Sequence, residues 1–137
     1  MRFMMLMIPK GYETAAPGTM PDAEAVAAMM KYNEALQKAG VLLTLDGLHP
    51  PSMGARVSFS GGKPTVTDGP FIETKEVVGG YWMIQVKSLA EAIEWAKRCP
   101  ASSNEVIEIR QVQEFSDFPA DVQAAAAGFP EMQALSE

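Results

Sequence analysis

The chain has 137 residues, of which 47% are hydrophobic and 20% charged, so its composition is that of a folded domain and not of a disordered segment. Its net charge is -6 and its basic residues are scattered, which argues against a nucleic-acid binder because phosphate contacts need clustered lysine and arginine. We therefore expect a single domain with its own core, whose partners are small molecules or other proteins.

The cysteine count and the N-terminus bear on the location of the protein. Cys99 is the one cysteine, which excludes a disulfide within the chain and predicts a reducing, cytoplasmic location. We interpret it as a small apolar residue and not as a nucleophile. The N-terminal apolar run, residues 3–8, is too short to span a membrane, and no signal-peptide cleavage site follows it. We expect no membrane partner.

The first third of the chain predicts a strand, a helix and a second strand. The continuous apolar run 3–8 is typical of a strand covered on both faces. A helix is expected from about 21 to 39, capped by Thr19 and ended by Gly40. A strand over 41–45 follows.

A β-hairpin is predicted next. Polar and apolar residues alternate over 56–60, Gly61-Gly62 suits a two-residue turn, and 63–67 returns. The turn residues Asp68-Gly69-Pro70 end the hairpin, and 71–78 is expected to be a loop.

The remainder predicts two more strands and two helices. Strands are expected over 81–86 and 105–112, separated by a helix over 89–98 that begins with a capping box at Ser88. A third helix is expected over 119–128. The order predicts an α+β, ferredoxin-like βαββαβ fold with an inserted hairpin and a C-terminal helix. We expect residues 1–115 to form the main domain and 116–137 its helical extension.

Strand alternation separates two faces of the predicted sheet, of which the helices cover one. We expect the apolar sets to face the helices: Trp82, Ile84 and Val86, Ile107 and Ile109, and Val57 and Phe59. The opposite face mixes Tyr, Met, Arg and Glu, which predicts a pocket wall or the interface of a homodimer.

Several motifs resemble the DGPF branch of the YCII-related family. Its most informative segment is Thr67-Asp68-Gly69-Pro70-Phe71, and the resemblance as a whole covers roughly residues 2–113. It continues in Glu73-Thr74-Lys75-Glu76, Gly79-Gly80-Tyr81-Trp82, Ala39-Gly40-Val41-Leu42-Leu43, Gly54-Ala55-Arg56-Val57, Gly61-Gly62-Lys63-Pro64, Glu91-Ala92-Ile93-Glu94-Trp95-Ala96 with Cys99-Pro100, and Val106-Ile107-Glu108-Ile109-Arg110.

The resemblance implies a ferredoxin-like fold that pairs into a dimeric α+β barrel. Related barrel families move protons on small organic acids, and some DGPF proteins are linked with extracytoplasmic-function sigma factors. A His–Asp pair has been proposed for YCII relatives. The histidine of that pair would be sought on the apolar stripe of the predicted first helix, where this chain has Met29, Met30 and Asn33. The only histidine of the chain is His49, in the loop after the second strand. The resemblance therefore does not carry that pair over residue by residue.

Two residues are candidates for proton transfer. Asp68 suits the turn before Gly-Pro, and it is alternatively a general base at a pocket mouth. His49, beside Pro50-Pro51, is a loop anchor or the side chain that exchanges protons near neutral pH. A lone histidine with no His/Cys cluster predicts no metal site, and we expect no cofactor.

The candidate ligand-binding residues are Arg56, Arg110, Tyr81, Glu73 and Lys75. The two arginines could bind a carboxylate, or Arg110 could pair with Glu108 or across a dimer. The sequence thus favours a protein that binds a small anionic organic molecule near the sheet, with or without proton transfer. The alternative is a non-catalytic dimeric binding or regulatory module, associated with a sigma factor.

Overall fold

The computed structural model describes residues 1–71 and 76–131. Within them the chain forms a four-stranded antiparallel sheet, a separate two-stranded hairpin and three α-helices. In chain order these elements are β1 Arg2–Ile8, α1 Ala23–Lys38, β2 Leu42–Gly47, β3 Ala55–Ser60, β4 Lys63–Asp68, β5 Gly80–Gln85, α2 Leu89–Lys97, β6 Val106–Gln111 and α3 Ala120–Ala125. No helix of this part of the chain is long and apolar enough to cross a bilayer.

The main sheet has the strand order β2-β5-β1-β6, and the hairpin β3–β4 stands apart from it. This arrangement confirms the predicted α+β, ferredoxin-like fold with an inserted hairpin. The most apolar strand, β1, lies in the interior of the sheet and pairs with β5 on one side and β6 on the other. The two helices α1 and α2 are joined by a hydrogen bond in which the Tyr32 hydroxyl donates to the Trp95 carbonyl at 2.8 Å.

The core lies between the sheet and these helices. Phe3, Met5 and Ile84 from the sheet are buried with Leu36 of α1 and Ala92 of α2. Trp82, Ile84 and Val86, which the alternation predicts to face the helices, are all buried, so this prediction is confirmed. The prediction that β1 is covered on both faces is wrong for the single chain, because only one face carries helices. Its other face presents half-buried side chains: Arg2, Met4, Leu6 and Ile8.

The start of α1 differs from the prediction. Asp22, not Thr19, is the N-cap, since its side-chain oxygen accepts a hydrogen bond from the Ala25 amide at 2.7 Å. The Thr19 hydroxyl instead donates to the Ala16 carbonyl at 2.6 Å. Gly40 follows α1 in the left-handed region with φ of 74°, which suits glycine because it has no Cβ.

The hairpin is placed differently from the prediction. Val57 and Phe59 do not face the helices but are 53% and 77% exposed. The reason is that β3 pairs with β4 and with no strand of the main sheet. Val57 lies opposite Val66, which is 66% exposed, so the hairpin carries an uncovered apolar face.

Candidate functional site

A cavity of about 330 Å³ lies where the loop between β2 and β3 meets the segment that leads into β5. We call it the loop cavity. It is lined by His49, Pro50, Pro51, Met53, Gly54, Ala55, Arg56, Phe71, Glu76, Val77 and Val78. Two predicted site residues, His49 and Arg56, therefore share one cavity.

The wall of the loop cavity is held in place by its own chain. Pro50 is fully buried and precedes a 3-10 turn, Pro51–Met53. The Ser52 hydroxyl in that turn donates to the Ala15 carbonyl at 2.9 Å. Arg56 lies over the Phe71 ring with its guanidinium carbon 4.2 Å from the ring centre, a geometry in which the ring quadrupole attracts the cation. The cavity thus has one stacked cation and one imidazole on a fixed frame.

The Asp68-Gly69-Pro70 turn packs directly behind this cavity. The Gly69 amide donates to the Gly54 carbonyl at 3.0 Å, and the Gly69–Pro70 peptide bond is cis. A Cβ on Gly69 would lie 1.6 Å from the Pro51 carbonyl oxygen, so only glycine fits there. Asp68 is exposed at the end of β4, and it does not line the loop cavity. The turn therefore supports the cavity wall.

Tyr81 and Arg110 lie elsewhere, on strands of the main sheet. The Tyr81 hydroxyl donates to Asp46 Oδ2 at 2.7 Å, and this hydrogen bond raises the pKa of Tyr81. Arg110 Nη1 is 3.4 Å from Glu108 Oε2, and both side chains are well exposed. That contact matches the predicted Arg110–Glu108 pair. Neither residue joins His49 and Arg56 in the loop cavity. Glu73 and Lys75 lie outside the described residues.

A second cavity, of about 490 Å³, was not predicted. We call it the helix cavity: it lies between the first half of α1, the adjoining ends of β2 and β5, and the loop before β6. Its lining residues are Met7, Pro21, Asp22, Ala25, Val26, Met29, Met30, Asn33, Leu45, Asp46, Gly47, Gly79, Gly80, Tyr81, Trp82, Pro100, Ser102 and Glu105.

Sequence reasoning missed the helix cavity because the apolar stripe of α1 does not show which of its residues the rest of the fold covers. Met30 and Val26 of this stripe are 58% and 38% exposed. A usable signal was Asn33, a polar residue inside that stripe. Its side-chain oxygen accepts a hydrogen bond from Trp82 Nε1 at 2.8 Å, which places the amide at the cavity wall.

Cys99 has the environment of a structural residue. Burial raises the pKa of its thiol to about 11, so little thiolate forms near neutral pH. This agrees with the interpretation of Cys99 as a packed apolar side chain. Among residues 1–71 and 76–131, no three His, Cys, Asp or Glu side chains come together as a metal site.

Comparisons with known proteins give a family and no activity. A family model described as the YCII-related domain matches residues 1–116. An uncharacterised protein of Rhizobium meliloti (strain 1021) is 39% identical over 71 residues, which make up 52% of this chain and 54% of that protein. The match thus spans about half of that relative. Resemblance at the family level is confirmed, and the DGPF branch stays a prediction from the motif.

Proposed function

Because the YCII-related family to which the chain belongs does not by itself specify a reaction or a ligand, we propose the function from the loop cavity. The protein binds a small anionic organic molecule in this cavity. The observation that carries the proposal is that Arg56 and His49 line the same cavity, whose described lining includes a single acidic residue, Glu76. A cavity of about 330 Å³ falls at the small end of ligand sites, which suits a compact acid.

Arg56 is the residue that would bind the anionic group. Its guanidinium carbon lies over the Phe71 ring, and a planar guanidinium can bind a carboxylate bidentately through the N–H groups in its plane. Stacking also limits the rotamers of a long side chain, so less entropy is lost when the ligand binds. Phe71 therefore acts as a positioning residue for Arg56.

Proton transfer on the bound molecule is the finer part of the proposal. His49 is its first candidate because it lines the cavity and because an imidazole can both accept and donate a proton near neutral pH. Asp68 is the second candidate, since it is the first residue of the turn behind the cavity wall. Its alternative role, shaping that turn, requires no ligand.

We also propose that the protein is a homodimer that pairs through the sheet face opposite the helices. We call this the open sheet face, and its centre is formed by Met4, Leu6, Tyr81 and Met83, all half-buried in the single chain. Charged residues, among them Arg110 and Glu108, lie on β6 at its edge. An apolar centre with a polar rim is the usual anatomy of an interface.

Thermal unfolding with a panel of small organic acids tests the binding proposal. An acid at ten times its dissociation constant should stabilise the protein by about 1.4 kcal/mol, which corresponds to a shift of several degrees. Arg56→Gln should remove the shift. The matched control is Arg98→Gln, because Arg98 is also stacked on an aromatic ring, Trp95, at 4.2 Å but lies outside the cavity. Equal losses in both variants would contradict the proposal.

The same acids, followed by NMR in deuterated buffer, separate binding from chemistry. His49→Ala should keep the thermal shift and lose deuterium exchange into the bound acid, whereas Asp68→Asn should keep both. Binding without exchange in the parent protein would instead support the alternative function, a non-catalytic dimeric regulatory module associated with a sigma factor. Exchange that persists in His49→Ala and disappears in Asp68→Asn would move the role to Asp68.

A further inference from the structure

The β3–β4 hairpin has two unpaired edges in the part of the chain that the structure describes. Every residue of both strands is exposed, and the two strands pair only with each other. An isolated two-stranded hairpin is only marginally stable in water, and three or more strands are needed for independent stability. The hairpin therefore needs further strands that the described part of its own chain does not supply.

The register of the hairpin shows which backbone groups point out of β3. The Gly69 amide donates to the Gly54 carbonyl at 3.0 Å, so these two residues form a hydrogen-bonded pair. Hydrogen-bonded and non-hydrogen-bonded pairs alternate along an antiparallel ladder. The non-hydrogen-bonded pairs that follow are Ala55 with Asp68, Val57 with Val66, and Phe59 with Pro64. The amides and carbonyls of Ala55, Val57 and Phe59 consequently point away from β4, along the outer edge of β3.

The two edges of the hairpin differ in their protection against pairing. The outer edge of β4 contains Pro64, which has no N–H to donate, and Lys63 precedes it. Proline and lysine are residues with which natural proteins block the edges of sheets. The outward positions of β3 are Ala55, Val57 and Phe59, which include neither residue type. The edge of β3 is thus the one that is open to another strand.

We propose that this edge pairs with β3 of a second copy, antiparallel and centred on Val57, so that two hairpins form one four-stranded sheet. The pairing rests on the proposed homodimer and adds a contact to it. In this register Val57 lies opposite the partner's Val57, and Ala55 lies opposite the partner's Phe59. Each outward amide of one copy then meets an outward carbonyl of the other.

The side chains of β3 fit this register. The large ring of Phe59 lies opposite alanine, and Arg56 lies opposite the partner's Ser58, so no like charges meet directly across the strands, where they would be destabilising. Val57, Phe59 and Val66, which are 53%, 77% and 66% exposed in the single chain, join into one apolar strip. Because Arg56 lines the loop cavity, the partner's Ser58 becomes a neighbour of the proposed anion site.

The attachment of the hairpin agrees with pairing inside the proposed homodimer. β2 ends at Gly47 and β5 begins at Gly80, and these two residues lie opposite each other in the main sheet. The hairpin is therefore attached at one end of that sheet. A two-fold axis that runs along the strands, over the open sheet face, brings the same ends of both copies, and with them both hairpins, to one side of the dimer.

Hydrogen exchange of the full chain at micromolar concentration, followed by NMR, tests the pairing. The outward amides of β3, at Ala55, Val57 and Phe59, should exchange at least about tenfold more slowly than those of β4, at Val66 and Asp68, after correction for intrinsic rates. The purified chain has no other protein with which to pair. Protection on the β3 edge alone therefore identifies a second copy as the partner.

Val57→Pro and Val66→Pro are matched variants, because the two valines lie opposite each other and both amides point outward. Proline at such a position removes no hydrogen bond within the hairpin. Val57→Pro should raise the exchange rates of the Ala55 and Phe59 amides to those of the β4 edge, whereas Val66→Pro should leave their protection unchanged. The Ser58 amide, which bonds within the hairpin, should stay protected in both variants and so show that the hairpin persists.

Sedimentation of the same samples separates the strand pairing from the homodimer on which it rests. A parent with the mass of one chain would overturn both. A parent with the mass of two chains, whose β3 edge exchanges as fast as its β4 edge, would overturn the strand pairing alone. Equal loss of protection in the two proline variants, or protection that persists in Val57→Pro or in a Met83→Lys variant that sediments as one chain, would also overturn the strand pairing.

Discussion

At Gly69 the chain passes so close to the Pro51 carbonyl oxygen that a Cβ would lie 1.6 Å from it. The Gly69 backbone and the Pro51 carbonyl cannot move independently, because the Gly69 amide donates a hydrogen bond to the Gly54 carbonyl and the Gly54 amide donates one to the Pro51 carbonyl. The turn motif and the wall of the loop cavity are therefore one packed unit. Any side chain at Gly69 must separate them.

Gly69→Ala is expected to destabilise the protein by about 1–3 kcal/mol, the usual cost of overpacking. Gly54→Ala is the matched control: a Cβ there would lie 3.7 Å from the same oxygen, and the backbone at φ of −126° accepts a side chain. Its stability should change by no more than about 1 kcal/mol. Urea unfolding of both variants measures the difference, and equal stability would show that the close approach relaxes without cost.

The two residues of the loop cavity and the turn behind it illustrate what could be predicted at the residue scale. His49 and Arg56 were selected because their residue types suit proton transfer and anion binding, and they occur within one loop and the strand that follows it. Their proximity is local in the sequence. The helix cavity was missed because its wall combines α1, β2, β5 and the loop before β6. No local pattern reports such a juxtaposition.

At the scale of elements, the predicted strands and helices occur in the predicted order because hydrophobic periods and turn residues are local signals. The hairpin shows the limit of those signals. Alternation correctly put Val57 and Phe59 on one face of β3, but it could not reveal that this face is uncovered. Whether a hairpin joins the main sheet depends on pairing between distant strands, and β3 found only β4.

One ion pair ties the start of β1 to the segment after β6. Arg2 Nε and Nη2 donate to Glu114 Oε1 and Oε2 at 2.7 and 2.9 Å, and the side chains are 19% and 27% exposed. Hydrogen bonding to Arg2 holds the pKa of Glu114 below its ordinary value of 4.5. A carboxyl with a lowered folded-state pKa stabilises the protein above its unfolded-state pKa. That stability is lost as the pH falls through the folded-state pKa.

Glu114→Gln should therefore lower the free energy of unfolding near neutral pH, and its difference from the parent should shrink as the solution is acidified below about pH 4.5. Glu34→Gln is the control. Glu34 and Lys38 form an i,i+4 ion pair with side chains that are 60% and 75% exposed, so this pair contributes little to the free energy of unfolding. Urea unfolding across the pH series is the measurement. A Glu114→Gln difference that stays constant down to acid pH would assign it to packing instead.

For the whole molecule, the main question is what covers the open sheet face. Helices bury one side of the sheet, and Met4 and Leu6 of β1 lie on the other with Tyr81 and Met83 of β5. An element that is apolar on both sides must bury both. This physical requirement agrees with the dimeric barrel that the family resemblance implies, since a second copy presents the same apolar centre.

Met83→Lys tests the homodimer, because Met83 lies between Met4 of β1 and Thr44 of β2 near the centre of the open sheet face. By sedimentation at micromolar concentration, the parent should have the mass of two 14.8 kDa chains and Met83→Lys the mass of one. A charge buried without a partner at an interface is costly, whereas in the single chain this half-buried side chain reaches water, so the circular dichroism spectrum should be unchanged.

The control is Leu89→Lys on α2, where Leu89 is already 51% exposed, and it should remain a dimer. A parent protein that sediments as one chain, or a Leu89→Lys variant that dissociates as readily as Met83→Lys, would contradict pairing through the open sheet face.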